Sequence, residues 1–337
     1  MKHMTNREKR SMSNTHRVAV RMALAMATLA LAPAMASAQS YPAKPVRVIS
    51  AYAPGGPNDV VARPVVEQLS RTMGQQFILE NRPGANGNIG AAEVAKAPAD
   101  GYTLLFGTTS QLTINPALYN MPFDSIRDFA PIILCSQIPG ALVVSTGSPY
   151  NSVKDVIAAA RANPGKLTYS SAGNGSQNHL GGELFAMLTQ TRLVHVPYKG
   201  GGPALTGVLS GEVSMIFQSP SLGLSQIRAG KLKALMVSSP RRMAILPDTP
   251  TNDEAGLPEF KSRAGTGFLA PARTPRPIID RLNAEIGRYL NSPEGQKYFA
   301  GQGVDLYPGT PEDFARVLQD ELARWTAVVK TAGIKLE

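Results

Sequence analysis

A single cysteine, Cys135, stands in 337 residues, so no intrachain disulfide can form even in an oxidising compartment. Set in the apolar run Ile132-Ile133-Leu134-Cys135, it reads as a small buried hydrophobe. Histidine is nearly as scarce: His3 and His16 lie close to the N-terminus, and His179 and His195 belong to no ligand-spaced cluster, so no metal site is expected. Aromatics make up 6% of the chain and the body has no basic run, which argues against a nucleic-acid surface. Nucleotide chemistry finds no support either. The loop Arg82-Pro83-Gly84-Ala85-Asn86-Gly87-Asn88-Ile89-Gly90 lacks the Gly-Lys-Ser/Thr ending of a phosphate loop, and Gly173-Asn174-Gly175-Ser176-Gln177-Asn178 lacks the third glycine of a dinucleotide fingerprint. No cofactor is expected, and beyond residue 38 no apolar stretch is long enough to span a bilayer.

What is present begins with an address. Lys2, Arg7, Lys9, Arg10, Arg17 and Arg21 form a basic region, Met22 to Met35 an apolar one, and Ala36-Ser37-Ala38 a small-residue cleavage site. Together they predict a secretory signal peptide over 1–38, cut after Ala38, and a mature protein exported to the periplasm. Without the leader, 28 basic and 23 acidic residues remain, a mild positive balance suited to steering a small anion.

The mature chain repeats one grammar of short β-rich run, Gly-rich turn and amphipathic helix, which predicts an α/β fold with largely parallel sheets. Strands are expected at 46–52, 77–80, 102–107, 132–138, 141–145, 167–171, 192–196, 213–217, 232–237 and 268–270. Helices are expected at 59–73, 91–96, 152–162, 179–189, 203–210, 225–229, 275–291 and 311–331. Two lobes fit this order, 39–139 with 264–337 and 140–263, with the chain crossing near Gln137–Leu142 and Arg263–Leu269.

Chemistry concentrates in the turns that follow strands. Ala53-Pro54-Gly55-Gly56-Pro57-Asn58-Asp59 opens a helix, where paired glycines and unpaired helix donors make an anion site, or where Asn58 or Asp59 simply caps the helix. Gly107-Thr108-Thr109-Ser110 brings three hydroxyls suited to a carboxylate or to capping. The second half answers with Ala172 to Asn178, which includes Asn174, Gly175 and Ser176, with Tyr198-Lys199-Gly200-Gly201-Gly202-Pro203, and with Gln218-Ser219 after a strand. No G-x-S-x-G surrounds Ser176, and His179 reads as part of a helix start. Donor-rich turns with neither a nucleophile–base pair nor a metal cluster suggest a binder more than a catalyst.

These segments resemble a known family. Tyr52-Ala53-Pro54-Gly55-Gly56-x-x-Asp59-Val60-Val61-Ala62-Arg63, Glu80-Asn81-Arg82-Pro83-Gly84-Ala85-x-Gly87-x-Ile89-Gly90, Asp100-Gly101-Tyr102-Thr103-Leu104-Leu105, Asn115-Pro116-x-Leu118-Tyr119, Gly175-Ser176-x-x-His179-Leu180 and His195-Val196-Pro197-Tyr198-Lys199-Gly200 occur in the order seen in the Bug family. Its members are periplasmic solute receptors of tripartite tricarboxylate transporters. The resemblance implies a two-lobe periplasmic binding protein fold, type II-like, each lobe a mainly parallel sheet flanked by helices, with a ligand cleft between the lobes. It also implies a small organic carboxylate as ligand, membrane permease subunits as partners, no enzymatic activity and a monomeric receptor. The first-lobe Gly-Gly turn and the hydroxyl turn would hold one carboxylate, partly through ordered water, and the second-lobe turns would set specificity. Two departures stand out: Ser214 and Gln218 where many relatives are acidic, and Ala51 where a proline is common. The expected lining, Tyr52, Asn58, Thr108, Thr109, Ser110, Asn174, Ser176, Tyr198, Gln218 and Ser219, is neutral apart from Asp59, which predicts an acid without an amino group. Two other functions compete: a secreted α/β hydrolase using Ser176 or Ser110, and a periplasmic sensor that presents its ligand to a signalling partner.

Overall fold

In the computed structural model the described residues are 41–334 apart from Ala53, Gly56 and Gly303, so the predicted leader and its cleavage site fall outside them. Apolar runs form the strands of two five-stranded sheets. The first joins β1 (Val46–Ser50), β2 (Phe77–Asn81), β3 (Thr103–Thr108), β4 (Phe129–Pro139) and β10 (Arg263–Pro271) in the order β2-β1-β3-β10-β4. The second joins β5 (Ala141–Ser145), β6 (Thr168–Ser171), β7 (Val194–Pro197), β8 (Met215–Gln218) and β9 (Leu232–Val237) in the order β7-β6-β8-β5-β9. The helices are α1 (Pro57–Met73), α2 (Asn88–Ala95), α3 (Thr109–Thr113), α4 (Asn115–Leu118), α5 (Val153–Ala162), α6 (Gln177–Thr189), α7 (Gly201–Leu209), α8 (Pro220–Arg228), α9 (Arg276–Asn291), α10 (Pro293–Gly301) and α11 (Pro311–Ala332).

Both sheets are mainly parallel, as expected, with one reversed strand each: β4 runs the same way as β1, β2 and β3, and β9 the same way as β6, β7 and β8. β1 runs parallel to β2 and β3, and β6 to β7 and β8, but β10 is antiparallel to β3 and β4, and β5 to β8 and β9. The reason is connectivity. β5 and β10 each enter their sheet from the other one, so they run against strands that leave toward the cleft. The two crossings touch: Gly140 N–H donates to the Ser262 carbonyl at 2.7 Å, and Ser238 N–H donates to the Gly140 carbonyl at 2.7 Å.

Each sheet buries its own apolar cluster. Ile49, Leu105, Leu112, Leu134 and Leu269 pack in the first, and Leu142, Tyr169, Phe185, Phe217 and Phe260 in the second. The helix α11 belongs to both, because Phe314 and Leu318 enter the first cluster while Trp325, Val328 and Val329, further along it, enter the second. A capping box starts this helix: Thr310 Oγ1 accepts from Asp313 N–H at 3.1 Å, and Asp313 Oδ2 accepts from Thr310 N–H at 3.1 Å. The last helix therefore ties the two sheets together on the side where the chain crosses.

Candidate functional site

In sheets of this kind ligands sit beyond the carboxyl ends of the strands, and the predicted turns occupy those ends. After β1 and β3, Tyr52 joins two turns, its phenol oxygen lying 2.8 Å from Thr108 Oγ1. Burial raises the Tyr52 pKa, so the phenol keeps its proton. Thr108 is the N-cap of α3 and accepts from Gln111 N–H at 3.1 Å. Ser110 is half-buried in the first turn of α3, and Asn58 is half-buried in that of α1. Gly107 is packed closely against Gln111 and Leu105, with a Cβ there falling 3.0 Å from Gln111 Oε1. Gly56 lies outside the described residues.

Three first-lobe residues expected at a ligand have other work. Asp59 is 4% exposed, and its Oδ2 accepts from Gly55 N–H at 2.7 Å and from Arg63 Nη2 at 2.8 Å, while Asn81 Nδ2 donates to Oδ1 at 3.2 Å. Burial alone would raise its pKa, but the bonds from Gly55, Arg63 and Asn81 outweigh it and hold the carboxyl below the usual range. The Gly55 amide is thereby turned to a protein carboxylate rather than to a ligand. Thr109 is fully buried, and its hydroxyl accepts from Gly265 N–H of β10 at 2.9 Å.

The second lobe shows the same division. Asn174 is exposed, and Ala172 and Ser219 are half-buried at strand ends. Gly200 and Gly201 open α7, where Gly201 abuts Leu222. Ser176 caps α6, accepting from His179 N–H at 3.4 Å and donating to the Gly173 carbonyl at 2.6 Å. Its proton is committed to a carbonyl, not to an imidazole, which is not the geometry of an activated nucleophile. Gly175 N–H is spent on His179 Nδ1 at 3.0 Å. Tyr198 is half-buried against the cluster that holds Ala204, Val208 and Val213, its hydroxyl close to Gly207. Gln218 is 3% exposed, and both of its amide atoms are sealed without a protein partner, the nitrogen close to Gly223.

Sequence reasoning missed the support beneath the second-lobe turn. His179 and His195 stack with ring centroids 3.8 Å apart, Tyr169 stacks on His195 at 5.1 Å, and His195 Nε2 lies 2.6 Å from Ser171 Oγ. Burial pushes both histidines down to about 4, with His195 adding to the effect on His179, so both rings are neutral at pH 7. The available signal was the parallel register of β6 and β7, which aligns Tyr169 with His195. Also missed were Gln111, whose Nε2 donates to the Gly87 carbonyl at 2.5 Å, and Asn178, whose Nδ2 donates to the Phe217 carbonyl at 2.8 Å. A cavity of about 700 Å³ between the 240–245 segment and residues 291–308 contains none of the predicted residues. Among the described residues, no three His, Cys, Asp or Glu side chains gather as a metal cluster and no helix is long and apolar enough to cross a membrane.

Residues 61–334 match the model described as tripartite tricarboxylate transporter family receptor, TctC. The chain is similar to protein BugT of Bordetella pertussis, 35% identical over 326 residues that cover 96% of this chain and 100% of the relative. Among solved structures it is similar to R. palustris Rpa4515 with adipate, at 35% identity and a TM-score of 0.68, covering 88% of this chain and 99% of that one. It is likewise similar to MatC from Rhodopseudomonas palustris with bound malate, at 31% identity and a TM-score of 0.65, covering 86% and 100%.

Proposed function

Because the chain belongs to the TctC family of tripartite tricarboxylate transporter receptors, the Bug proteins, we propose that it captures a small organic carboxylate in the periplasm and hands it to membrane permease subunits. It would act as a monomer, exported by its leader and trimmed after Ala38. The observation that carries the reading is the hydroxyl turn at the end of β3, held by Tyr52 to the turn after β1. Such donors replace water around a carboxylate at little reorganisation cost, because their geometry is set before the ligand arrives. Half-buried Ser110 and Asn58 on one lobe would be met by exposed Asn174 and half-buried Ser219 on the other. Closure then follows to the extent that the ligand touches both lobes.

The ligand class follows from charge. Asp59, the one carboxylate among the expected residues, is taken by Gly55, Arg63 and Asn81, so an ammonium group brought into the cleft meets no free counter-charge from that set. Burying it without one costs several kcal/mol. Acids without an amino group should bind at least about tenfold tighter than their amino-acid counterparts. Calorimetric titration pairing succinate with aspartate and glutarate with glutamate, beside adipate, malate and benzoate, tests this. Consistently tighter binding of the amino acids overturns the charge argument. Silence across the whole panel, or ester turnover abolished by Ser176→Ala, overturns the receptor reading.

A further inference from the structure

Glu321 lies midway along α11 and is 5% exposed. Thr113 Oγ1 of α3 donates to the Thr109 carbonyl at 2.8 Å and, as the longer branch of the same bond, to Glu321 Oε2 at 3.3 Å. Since Thr109 also receives Gly265 N–H from the crossing strand β10, this buried acid is linked to the residue between Thr108 and Ser110 and to one of the two chain crossings. Its nearest cations are committed elsewhere. Arg324, one turn along α11, donates to the Lys261 carbonyl at 3.0 Å, and Arg263, at the start of β10, donates to the Ser238 carbonyl at 2.7 Å. The other elements packed on α11 supply no competing charge at this point. α3 and α4 contain no ionisable side chain, and β4 contributes only the buried Cys135, whose pKa burial raises. On α6, His179 accepts from Gly175 and Glu183 accepts from Tyr169, and α9 meets α11 through Arg276 and Glu312 near the start of α11.

We propose that Glu321 is a positioning residue that couples carboxylate capture to uptake of a proton. Ionised, it sets a negative charge directly behind the hydroxyl turn; protonated, it leaves that turn free to receive an anion. Burial, opposed by the hydroxyls of Thr109 and Thr113 and by the charges of Arg324 and Arg263, raises the carboxyl to about 7, which places the change in a range that binding can use. The sign follows from linkage: an anion bound in front of Glu321 raises its proton affinity, so affinity is highest below about 7 and falls as pH rises through it. This proposal rests on the reading of the cleft as a carboxylate site.

The test is calorimetric titration of adipate and malate between pH 6.5 and 8, in buffers of different ionisation enthalpy, for wild type, Glu321→Gln and Thr113→Val. Wild type should lose about fivefold in affinity across the range and take up protons on binding. In Glu321→Gln both effects should vanish, and in Thr113→Val, which removes a donor to the ionised form, the midpoint should move to higher pH. A flat wild-type profile, or an equal slope in Glu321→Gln, overturns the proposal, and wild-type proton uptake together with the Thr113→Val shift decides it should Glu321→Gln fail to fold. If neither acid binds at any pH, the carboxylate reading itself fails, and the proposal with it.

Discussion

Asp59→Ala should lower stability by about 2 kcal/mol and weaken every carboxylate ligand by about tenfold or more. The side chain is the common acceptor for a turn, a helix and a neighbouring strand: Gly55 N–H, Arg63 and Asn81 all converge on it. Truncation leaves the Gly55 and Asn81 donors without their acceptor and frees the turn that precedes α1, so the donors around Tyr52 lose their fixed positions. Asn at this position keeps an oxygen for Gly55 but gives up the ion pair to Arg63, and it should fall between wild type and alanine. Because the Asp59 carboxyl is held below its ordinary range, its contribution is present at neutral pH and is lost only on acidification through the folded-state value. Denaturant midpoints and ligand titrations on the same samples separate the two effects. Wild-type affinity in Asp59→Ala would mean that this turn has no part in binding.

Gly182→Val should cost about 3 kcal/mol, near the upper end for an overpacked core. Gly182 lies on α6 where the helix passes over the Tyr169 ring, and a Cβ there would overlap ring atoms. Tyr169 has little room to yield. It is fully buried, its hydroxyl donates to Glu183 Oε1 at 2.5 Å, and its face stacks on His195. Displacing the ring also disturbs the contact of His195 with Ser171, and with it the turn from Ala172 to Ser176, so selectivity should change along with stability. Tyr169→Ala alone destabilises by leaving a cavity, yet the double variant with Gly182→Val should be more stable than the two losses added, since the overlap is gone. Simple additivity in denaturant unfolding would place the cost elsewhere.

Elements written by local pattern were legible from the chain alone. β1, β3 and β9 are apolar runs between turn residues, and α11 has its Thr310–Asp313 box, an apolar face and a terminal glycine. Short or glycine-rich elements were not. α3 and α4 occupy a stretch that reads as a donor-rich turn, and α10 went unseen although Ser292-Pro293-Glu294 carries a start signal and Ser292 Oγ accepts from Gly295 N–H at 3.0 Å. The first half of β10, Arg263-Ala264-Gly265-Thr266-Gly267, has little intrinsic strand preference and is held by pairing with β4. At the site, residue type predicted the turns but not what each side chain does there. Thr109 looks like an exposed hydroxyl until Gly265 is brought to it, and Tyr198 looks like a free cleft aromatic until its ring packs half-buried against Gly207 and its neighbours. Such outcomes depend on partners outside the local window, Gly265 lying 156 positions from Thr109, about which local pattern says nothing.

The central claim, that the hydroxyl turn after β3 holds the ligand's carboxylate, is tested most directly at Ser110, which is half-buried in the first turn of α3 while Thr108 serves as its cap. A hydroxyl bond to a carboxylate contributes about 1.5–3 kcal/mol. Titrating the tightest-binding acid into Ser110→Ala should therefore show affinity reduced about tenfold or more with the unfolding midpoint unchanged. Unchanged affinity in that variant would contradict the account.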